Sequence, residues 1–274
     1  MRDAGRLIFV IALASCGSGT HKAPAASHRS SKESIAISAE ARSSVQQAHD
    51  RPATSAKATV GKQLMTPTAA EQKRMYPWPR RTRQYESLAS RFSPPKGYTR
   101  VPVTRGSYQW YLRHLPLLPA GTPVKDYQGN LLASSTAAAA AVIDLDVGKR
   151  DLQQCMDTLM RIRGEYHWWK KSRHRIKFRY GGGKYFSWNQ WRTGIRPRRV
   201  GKKSVFTKVG AESSSRTNFL RYLTFMFAMT GTVNNNRELK VSRLADLRGG
   251  DFYLHPAPSA TVYGHAVVIL DVTK

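Results

Sequence analysis

Apolar and polar positions repeat with two different periods along this chain, and the change of period locates its predicted helices and strands. Apolar residues three and four apart run through 152–169 and indicate an amphipathic helix. A long apolar stretch at 217–231 predicts a buried helix. Residues 107–117 predict a short helix that ends at Pro116, and residues 242–247 predict another.

Strands are predicted by a period of two. Two alternating stretches, 141–147 and 175–180, read as half-buried strands, and two apolar stretches, 250–254 and 265–272, predict a closing pair. The Gly-, Trp- and Arg-rich stretch 181–199 predicts a loop. Because helices and strands are mixed, we expect an α+β fold: a single domain with a mostly antiparallel sheet and packed helices.

The first fifteen residues have the layout of a signal peptide. Arg2 and Arg6 precede an apolar run, 7–14, which is too short to span a bilayer. The run leads into Leu-Ala-Ser before Cys16, which resembles the lipobox of bacterial lipoproteins. The resemblance implies cleavage of residues 1–15 and a diacylglycerol on the sulfur of Cys16, which would anchor the protein to a membrane. An ordinary secretory signal with a coincidental cysteine is the alternative.

Residues 16–75 have no sustained apolar period and cannot bury enough surface to offset the entropy of ordering. We therefore expect a lipidated, disordered linker at 16–75 and a folded domain at 76–274. The net charge of +28 belongs mainly to the domain, which carries 34 of the 45 Lys and Arg and 12 of the 17 Asp and Glu. Such an excess suggests an anionic neighbour.

The second cysteine, Cys155, is the candidate nucleophile. With Cys16 lipidated it is the remaining thiol of the sequence, which excludes an intramolecular disulfide and a cysteine-based metal cluster. Asp151 is a good N-cap with Gln154 three residues on, so a helix is expected to start near the thiol and to lower its pKa. Because Cys155 also lies on the apolar face of that helix, a buried core cysteine is the alternative.

Two glycine-led pairs near the C-terminus suggest a partner for the thiol. Gly250-Asp251 enters one closing strand and Gly264-His265 enters the next. This order resembles papain-like cell-wall cysteine hydrolases of the NlpC/P60 and CHAP kind, in which the cysteine opens a helix and the histidine faces it from a strand. The resemblance implies a papain-like arrangement with Cys155 as nucleophile and His265 as base. A structural strand-end histidine is the alternative for His265.

From Tyr76 onward the chain carries five characteristic segments, which are "YPWP", "SYQWYLRHLPLLPAGTPV", "AVIDLDVGKRDLQQCMDTLMRIRGEY", "FLRYLTFMFAMTGTVNNNREL" and "GDFYL…GHAVVILDV". Taken together, these segments resemble one bacterial family, the domain of unknown function 4846. That name implies no activity, but its members resemble secreted or lipid-anchored envelope proteins. Members continue past the last predicted strand, so the domain here is expected to be either C-terminally incomplete or trimmed.

Aromatic and basic residues alternate in 181–199 and form the candidate binding patch. Aromatic faces stack on sugar rings, while Arg pairs with carboxylate or phosphate. Trp188, Trp191 and Arg192 are therefore candidate substrate-binding residues, together with Gln154 beside the thiol. Core tryptophans with solvated arginines are the alternative. In an envelope protein we expect an acidic polymer or peptidoglycan as the partner rather than nucleic acid.

Other chemistry has weaker support. Asp144 and Asp146 would share a strand face about 7 Å apart, a geometry that permits a glycosidase carboxylate pair, and Glu165 is a further acid. The histidines have no metal-binding spacing, and no glycine-rich phosphate loop is present, so we expect no metal and no cofactor.

The sequence thus predicts a lipid-anchored protein of the bacterial cell envelope, on the periplasmic or extracellular face of a membrane. The leading interpretation is a papain-like cysteine hydrolase or amide-bond transferase that acts on a cell-wall or acylated substrate. The competing interpretation is a non-catalytic lipoprotein that binds acidic glycan through its basic and aromatic face.

Overall fold

The computed structural model describes most of the chain from residue 66 onward and two short strands before it. These residues build an α+β fold of packed helices and small antiparallel sheets, which confirms the predicted fold class. The described residues are 7–10, 45–46, 66–78, 86–180, 184–201, 203–236, 239–240, 243–256 and 264–274.

The described residues contain ten strands, most of them short. They are β1 (Leu7–Val10), β2 (Val45–Gln46), β3 (Glu86–Ser87), β4 (Pro116–Leu117), β5 (Lys177–Arg179), β6 (Tyr185–Ser187), β7 (Ile195–Val200), β8 (Lys203–Lys208), β9 (Phe252–His255) and β10 (His265–Thr273). The largest sheet has the order β1, β10, β9, β2. The other strands form the antiparallel pairs β3–β4, β5–β6 and β7–β8.

Eight α-helices lie in the described residues, and α5 and α7 are the two long ones. They are α1 (Ala69–Met75), α2 (Leu88–Arg91), α3 (Tyr108–Arg113), α4 (Ala133–Ala138), α5 (Cys155–Trp169), α6 (Trp188–Arg192), α7 (Arg216–Met229) and α8 (Thr232–Asn236). Several begin at a serine or threonine whose side chain accepts a backbone N–H, as Ser107 does for α3 and Ser215 for α7. Helices α3 and α7 confirm the helices predicted at 107–117 and 217–231.

The core forms where α5 packs on β10 and on α7. Gly164 lies at the crossing of the two long helices, since a Cβ on it would stand 3.3 Å from Phe219 and 3.4 Å from Leu223. The absence of a side chain at Gly164 thus allows the close approach. Aromatic rings fill much of the remaining interior, and Trp188 and Phe186 are fully buried against α7.

Two buried carboxylates are each held by two arginines. Asp271 of β10 accepts hydrogen bonds from Arg100 and from Arg113 of α3, and this joins the loop before α3 to the sheet. Glu165 of α5 accepts from Arg161, one turn earlier, and from Arg216 at the start of α7. Such pairing is what allows a charge to be buried.

Two predicted elements differ from the structure. Residues 141–147, predicted as a strand, are an extended but irregular segment with one bridge between Ile143 and Leu117. The stretch 181–199, predicted as a loop, contributes β6, α6 and β7. The β7–β8 hairpin went unnoticed because its basic residues obscure the period of two that defines a strand.

The N-terminal segments also contain regular structure. Helix α1 lies inside the segment predicted as a linker, and its Met75 is fully buried, so the packed domain extends at least to residue 67. Strand β1 lies inside the predicted leader and pairs with β10, with Leu7 opposite Thr273. Cys16 and most of the predicted linker lie outside the described residues. Within the described ranges, no helix is long and apolar enough to cross a membrane.

Candidate functional site

Cys155 is the first residue of α5. The backbone N–H of Gln154 donates to Asp157 Oδ2 at 3.1 Å, and the Thr158 hydroxyl donates to the Gln154 carbonyl at 2.8 Å. The bond from the Gln154 N–H to Asp157 is one half of a capping box, and it starts the helix at the thiol. The predicted N-cap was wrong: Asp151 is exposed and precedes the helix, because Asp157 supplies the capping carboxylate from inside the first turn.

The thiol lies beside the strand that carries His265. Cys155 Sγ is 4.0 Å from the carbonyl oxygen of Gly264, the residue before β10. Since peptide geometry places the next Cα roughly 3 Å from that oxygen, the His265 Cα is at most about 7 Å from the sulfur. The structure therefore brings Cys155 close to His265, although more than a hundred residues separate them in the sequence.

His265 is exposed and lies directly opposite His255 of β9. Directly opposed residues of an antiparallel pair share one face of the sheet, so both imidazoles lie on the same face. Within the described part of the chain, no hydrogen bond joins the Cys155 thiol to the His265 ring. His255 could not be selected from the sequence, because its position opposite His265 depends on the register of β9 and β10.

Burial dominates the electrostatics of the thiol. It raises the pKa of Cys155, while the backbone N–H groups of Ala266 and Met156 act in the opposite direction and more weakly. The expected lowering of this pKa by the helix start is therefore outweighed, because the half-buried sulfur loses hydration that a thiolate needs.

Asp157 is the second unusual group of this helix start. Burial raises the pKa of its carboxyl from 3.8 to about 7, although the Gln154 N–H bond lowers it. Its Oδ1 atom is buried and has no hydrogen-bond partner in the described structure. A buried carboxyl with one unsatisfied oxygen, two residues from the thiol, went unrecognised in the sequence because aspartate in a first turn usually serves only as a cap.

A small cavity of about 170 Å³ lies beside the loop that precedes the thiol. Its wall includes Lys149, Gln153 and Arg161 from the thiol side and Leu220 and Thr224 from α7. This volume suits a small terminal group rather than a polymer segment. Gln154 is half-buried next to it, so a role of Gln154 near a bound group remains a prediction.

The Gly-Asp pair before β9 is a structural turn. Asp251 accepts the backbone N–H of Arg248 at 2.9 Å, and burial raises the pKa of its carboxyl to about 6. Gly250 has a positive φ of 96°, and a Cβ there would meet the Tyr108 ring at 2.8 Å. This part of the papain-like resemblance therefore positions β9.

The two tryptophans of the predicted binding patch are not on the surface. Trp188 is fully buried and Trp191 is 8% exposed, and both belong to the core, so neither ring is free to stack on a sugar. Arg192 pairs with Glu212 at 2.6 Å, and Arg196 lies over the Trp191 ring at 3.6 Å. The two tryptophans are three residues apart on α6 and both face the core. The many Gly and Arg residues of the stretch made it read as a loop, so this helical spacing was missed.

The carboxylate alternatives lose their geometric basis. Asp144 and Asp146 do not lie on a regular strand, and Glu165 is bound by two arginines in the interior. Among the described residues, no group of three or more His, Cys, Asp or Glu side chains could hold a metal ion.

These features define an α+β protein in which a cysteine opens a long helix beside a strand that begins with histidine. A family model described as "Domain of unknown function (4846)" matches residues 88–274, which is more than half of the chain. The chain belongs to this family, as its sequence segments predicted. Neither the curated proteins nor the solved structures contain a significant match to the chain.

Proposed function

We propose that this protein is a cysteine-dependent hydrolase or amide-bond transferase that acts on a cell-wall or acylated substrate. One observation carries the proposal: Cys155 opens a fifteen-residue helix, and its sulfur contacts the residue before His265. A nucleophilic thiol requires a base within reach, and here the Cα of the exposed His265 lies within about 7 Å of the sulfur.

The chemistry follows from these positions. The thiol proton passes to the His265 ring, and the sulfur attacks the substrate carbonyl carbon to form a tetrahedral intermediate. The first backbone N–H groups of α5 have no partner within the helix and can stabilise the oxyanion. The intermediate collapses to a thioester, the leaving amine takes the proton from His265, and water or a second amine then releases the acyl group.

The resting thiol needs activation. Burial favours the neutral thiol, so the thiolate forms only when a positive charge comes close to it. Rotation of the exposed His265 side chain toward Cys155 would supply that charge as the imidazolium ion. In enzymes without bound substrate, the hydrogen bond between the nucleophile and its base is often long, and it shortens when substrate binds.

The location that we propose is the bacterial envelope, with a lipid on Cys16. The support is the basic start, the short apolar run and the small residues before Cys16. The alternative, a non-catalytic lipoprotein that binds acidic glycan, loses support from the burial of Trp188 and Trp191.

The test uses purified peptidoglycan and, separately, an N-acylated peptide. We expect mass spectrometry to detect a newly released amine or acyl product with one of them. Cys155→Ala should abolish the release, and His265→Ala should reduce it at least tenfold. Lys203→Ala, on the exposed β7–β8 hairpin, is the control and should be as active as the wild type. No product from either substrate, or equal activity of Cys155→Ala and wild type, overturns the proposal.

A further inference from the structure

A cavity of about 750 Å³ opens at the opposite end of α5 from the thiol. Its walls come from residues 101–109, from the C-terminal end of α5, from residues 245–249 and from residues 270–272 of β10. With a rise of about 1.5 Å per residue, Lys170 lies roughly 22 Å along the helix axis from Cys155. The cavity is therefore separate from the candidate catalytic site.

The lining of this cavity carries an excess of positive charge. Asp246 and Asp271 are its acidic residues, and Asp271 is already paired with Arg113 of the same wall and with Arg100. The basic residues of the lining are Arg105, Arg113, Lys170, Arg175 and Arg248. Arg105 is paired with Glu71 and Arg175 has an interaction of its own, which leaves Lys170 and Arg248 as the cations to consider next.

Lys170 faces the turn before α3. Its Nζ would stand 3.2 Å from a Cβ on Gly106, and it lies 5.2 Å from the centre of the Trp169 ring. Among the described residues, no carboxylate forms an ion pair with Lys170 or with Arg248. Both side chains are exposed and within reach of a molecule that enters. Arg248 also interacts electrostatically with the Asp251 carboxyl and lowers its pKa against the larger effect of burial.

The cavity has the size and composition of a ligand site. Pockets of roughly 300–1,000 Å³ hold small molecules, and a concave wall of one sign concentrates ions of the other. Tyr108, Tyr166, Leu247 and Leu270 line the wall but are themselves buried. The exposed cations Lys170 and Arg248 are therefore the groups that would contact the anionic part of a bound molecule.

We infer that this cavity binds a carboxylate- or phosphate-bearing small molecule, or the corresponding end group of an envelope polymer. The inference rests on the cavity alone and not on the proposed catalysis. Binding should be unchanged in Cys155→Ala, and turnover by Cys155 should persist in the cavity variants, so either proposal can fail without the other.

Isothermal titration of the full chain tests this inference with three probes. They are a trimer of galacturonic acid, which carries carboxylates, inorganic tripolyphosphate, and the neutral trisaccharide maltotriose. We expect one or both anions to bind with a Kd of millimolar or lower, and maltotriose to bind at least tenfold more weakly. The anion that binds more tightly identifies carboxylate or phosphate as the natural group.

Single variants locate the site. Lys170→Ala and Arg248→Ala should each raise the Kd of the bound anion at least fivefold, whereas Lys203→Ala on the exposed hairpin should change it less than twofold. Lys170→Gln retains the length of the side chain and should weaken binding as Lys170→Ala does, which separates loss of charge from loss of packing. Absence of anion binding, or an equal effect of Lys203→Ala, overturns the inference.

Discussion

The sulfur of Cys155 and the carbonyl oxygen of Gly264 are 4.0 Å apart, and this contact connects the start of α5 to the start of β10. The contact has two consequences. It places the thiol next to the start of the strand that begins with the exposed His265, and it removes water from the sulfur, which raises the pKa of the thiol. The same packing that assembles the pair therefore keeps the resting thiol protonated.

The pH dependence of alkylation follows from that burial. Iodoacetamide should modify Cys155 in the folded protein more slowly than a small free thiol at pH 7, because only the thiolate reacts and its pKa is raised. The rate should continue to rise at pH values above the usual thiol range of about 8.5. Mass spectrometry of timed samples measures it, with urea-unfolded protein as the control. A rate that is already maximal at pH 6.5 would show that the thiol is activated at rest.

Replacement of Asp157 by asparagine should change how stability depends on pH. The folded carboxyl has a pKa of about 7 against 3.8 when hydrated, so the folded state binds more protons than the unfolded state between those values. The free energy of unfolding therefore falls as pH rises from about 4 to about 7. Asp157→Asn removes this loss and retains an acceptor for the Gln154 N–H.

Relative to wild type, Asp157→Asn should gain up to roughly 4 kcal/mol between pH 4 and pH 8, at about 1.4 kcal/mol per pKa unit. Urea titrations at several pH values measure the difference. Asp151→Asn, an exposed residue just before the helix, is the control and should run parallel to wild type. If the free energy of unfolding of Asp157→Asn follows that of wild type at every pH, the Asp157 carboxyl is hydrated in the folded protein.

Glu165 should be among the most sensitive residues of the interior. Glu165→Ala leaves Arg161 and Arg216 without their carboxylate, and breaking such a buried pair costs about 3–5 kcal/mol. Glu212→Ala breaks the exposed pair with Arg192 and should cost less than about 1 kcal/mol. Chemical denaturation compares the two variants, and similar losses would contradict the proposed contrast.

Two glycines allow backbone strain and steric overlap to be separated. Gly250 and Gly97 both have positive φ, but only at Gly250 would a Cβ meet another residue, the Tyr108 ring at 2.8 Å. Gly97→Ala should cost about 1–2 kcal/mol from backbone strain. Gly250→Ala should cost at least about 1 kcal/mol more, because the added methyl also displaces a buried ring. Equal losses in thermal unfolding would show that Tyr108 moves freely.

The lipid anchor is tested by metabolic labelling. Labelled palmitate should enter the protein in a bacterial host, because a functional lipobox before Cys16 would direct acylation to that sulfur. Cys16→Ala should abolish the label, and Cys155→Ala should leave it unchanged. Label that persists in Cys16→Ala would disprove the assignment.

The sequence predicted the elements whose periods are strong, which include α5, α7, β9 and β10. It misjudged elements that are determined by distant contacts. Trp188 and Trp191 read equally well as a binding surface until the position of α7 shows that they are covered. The start of α5 depended on which of two aspartates caps it, and spacing alone favours neither Asp151 nor Asp157. The basic cavity was invisible, because four separate segments contribute its walls.

Removal of the predicted leader, residues 1–15, would take strand β1 away from the main sheet. In the full-length chain, Leu7–Val10 satisfies the backbone groups along one edge of β10 from Ile269 to Thr273. Signal cleavage would remove that neighbour and leave a row of unpaired N–H and C=O groups on the mature protein. Such an edge is a template for a further strand, so precursor and mature forms would differ in their tendency to associate even though every residue of the domain is the same.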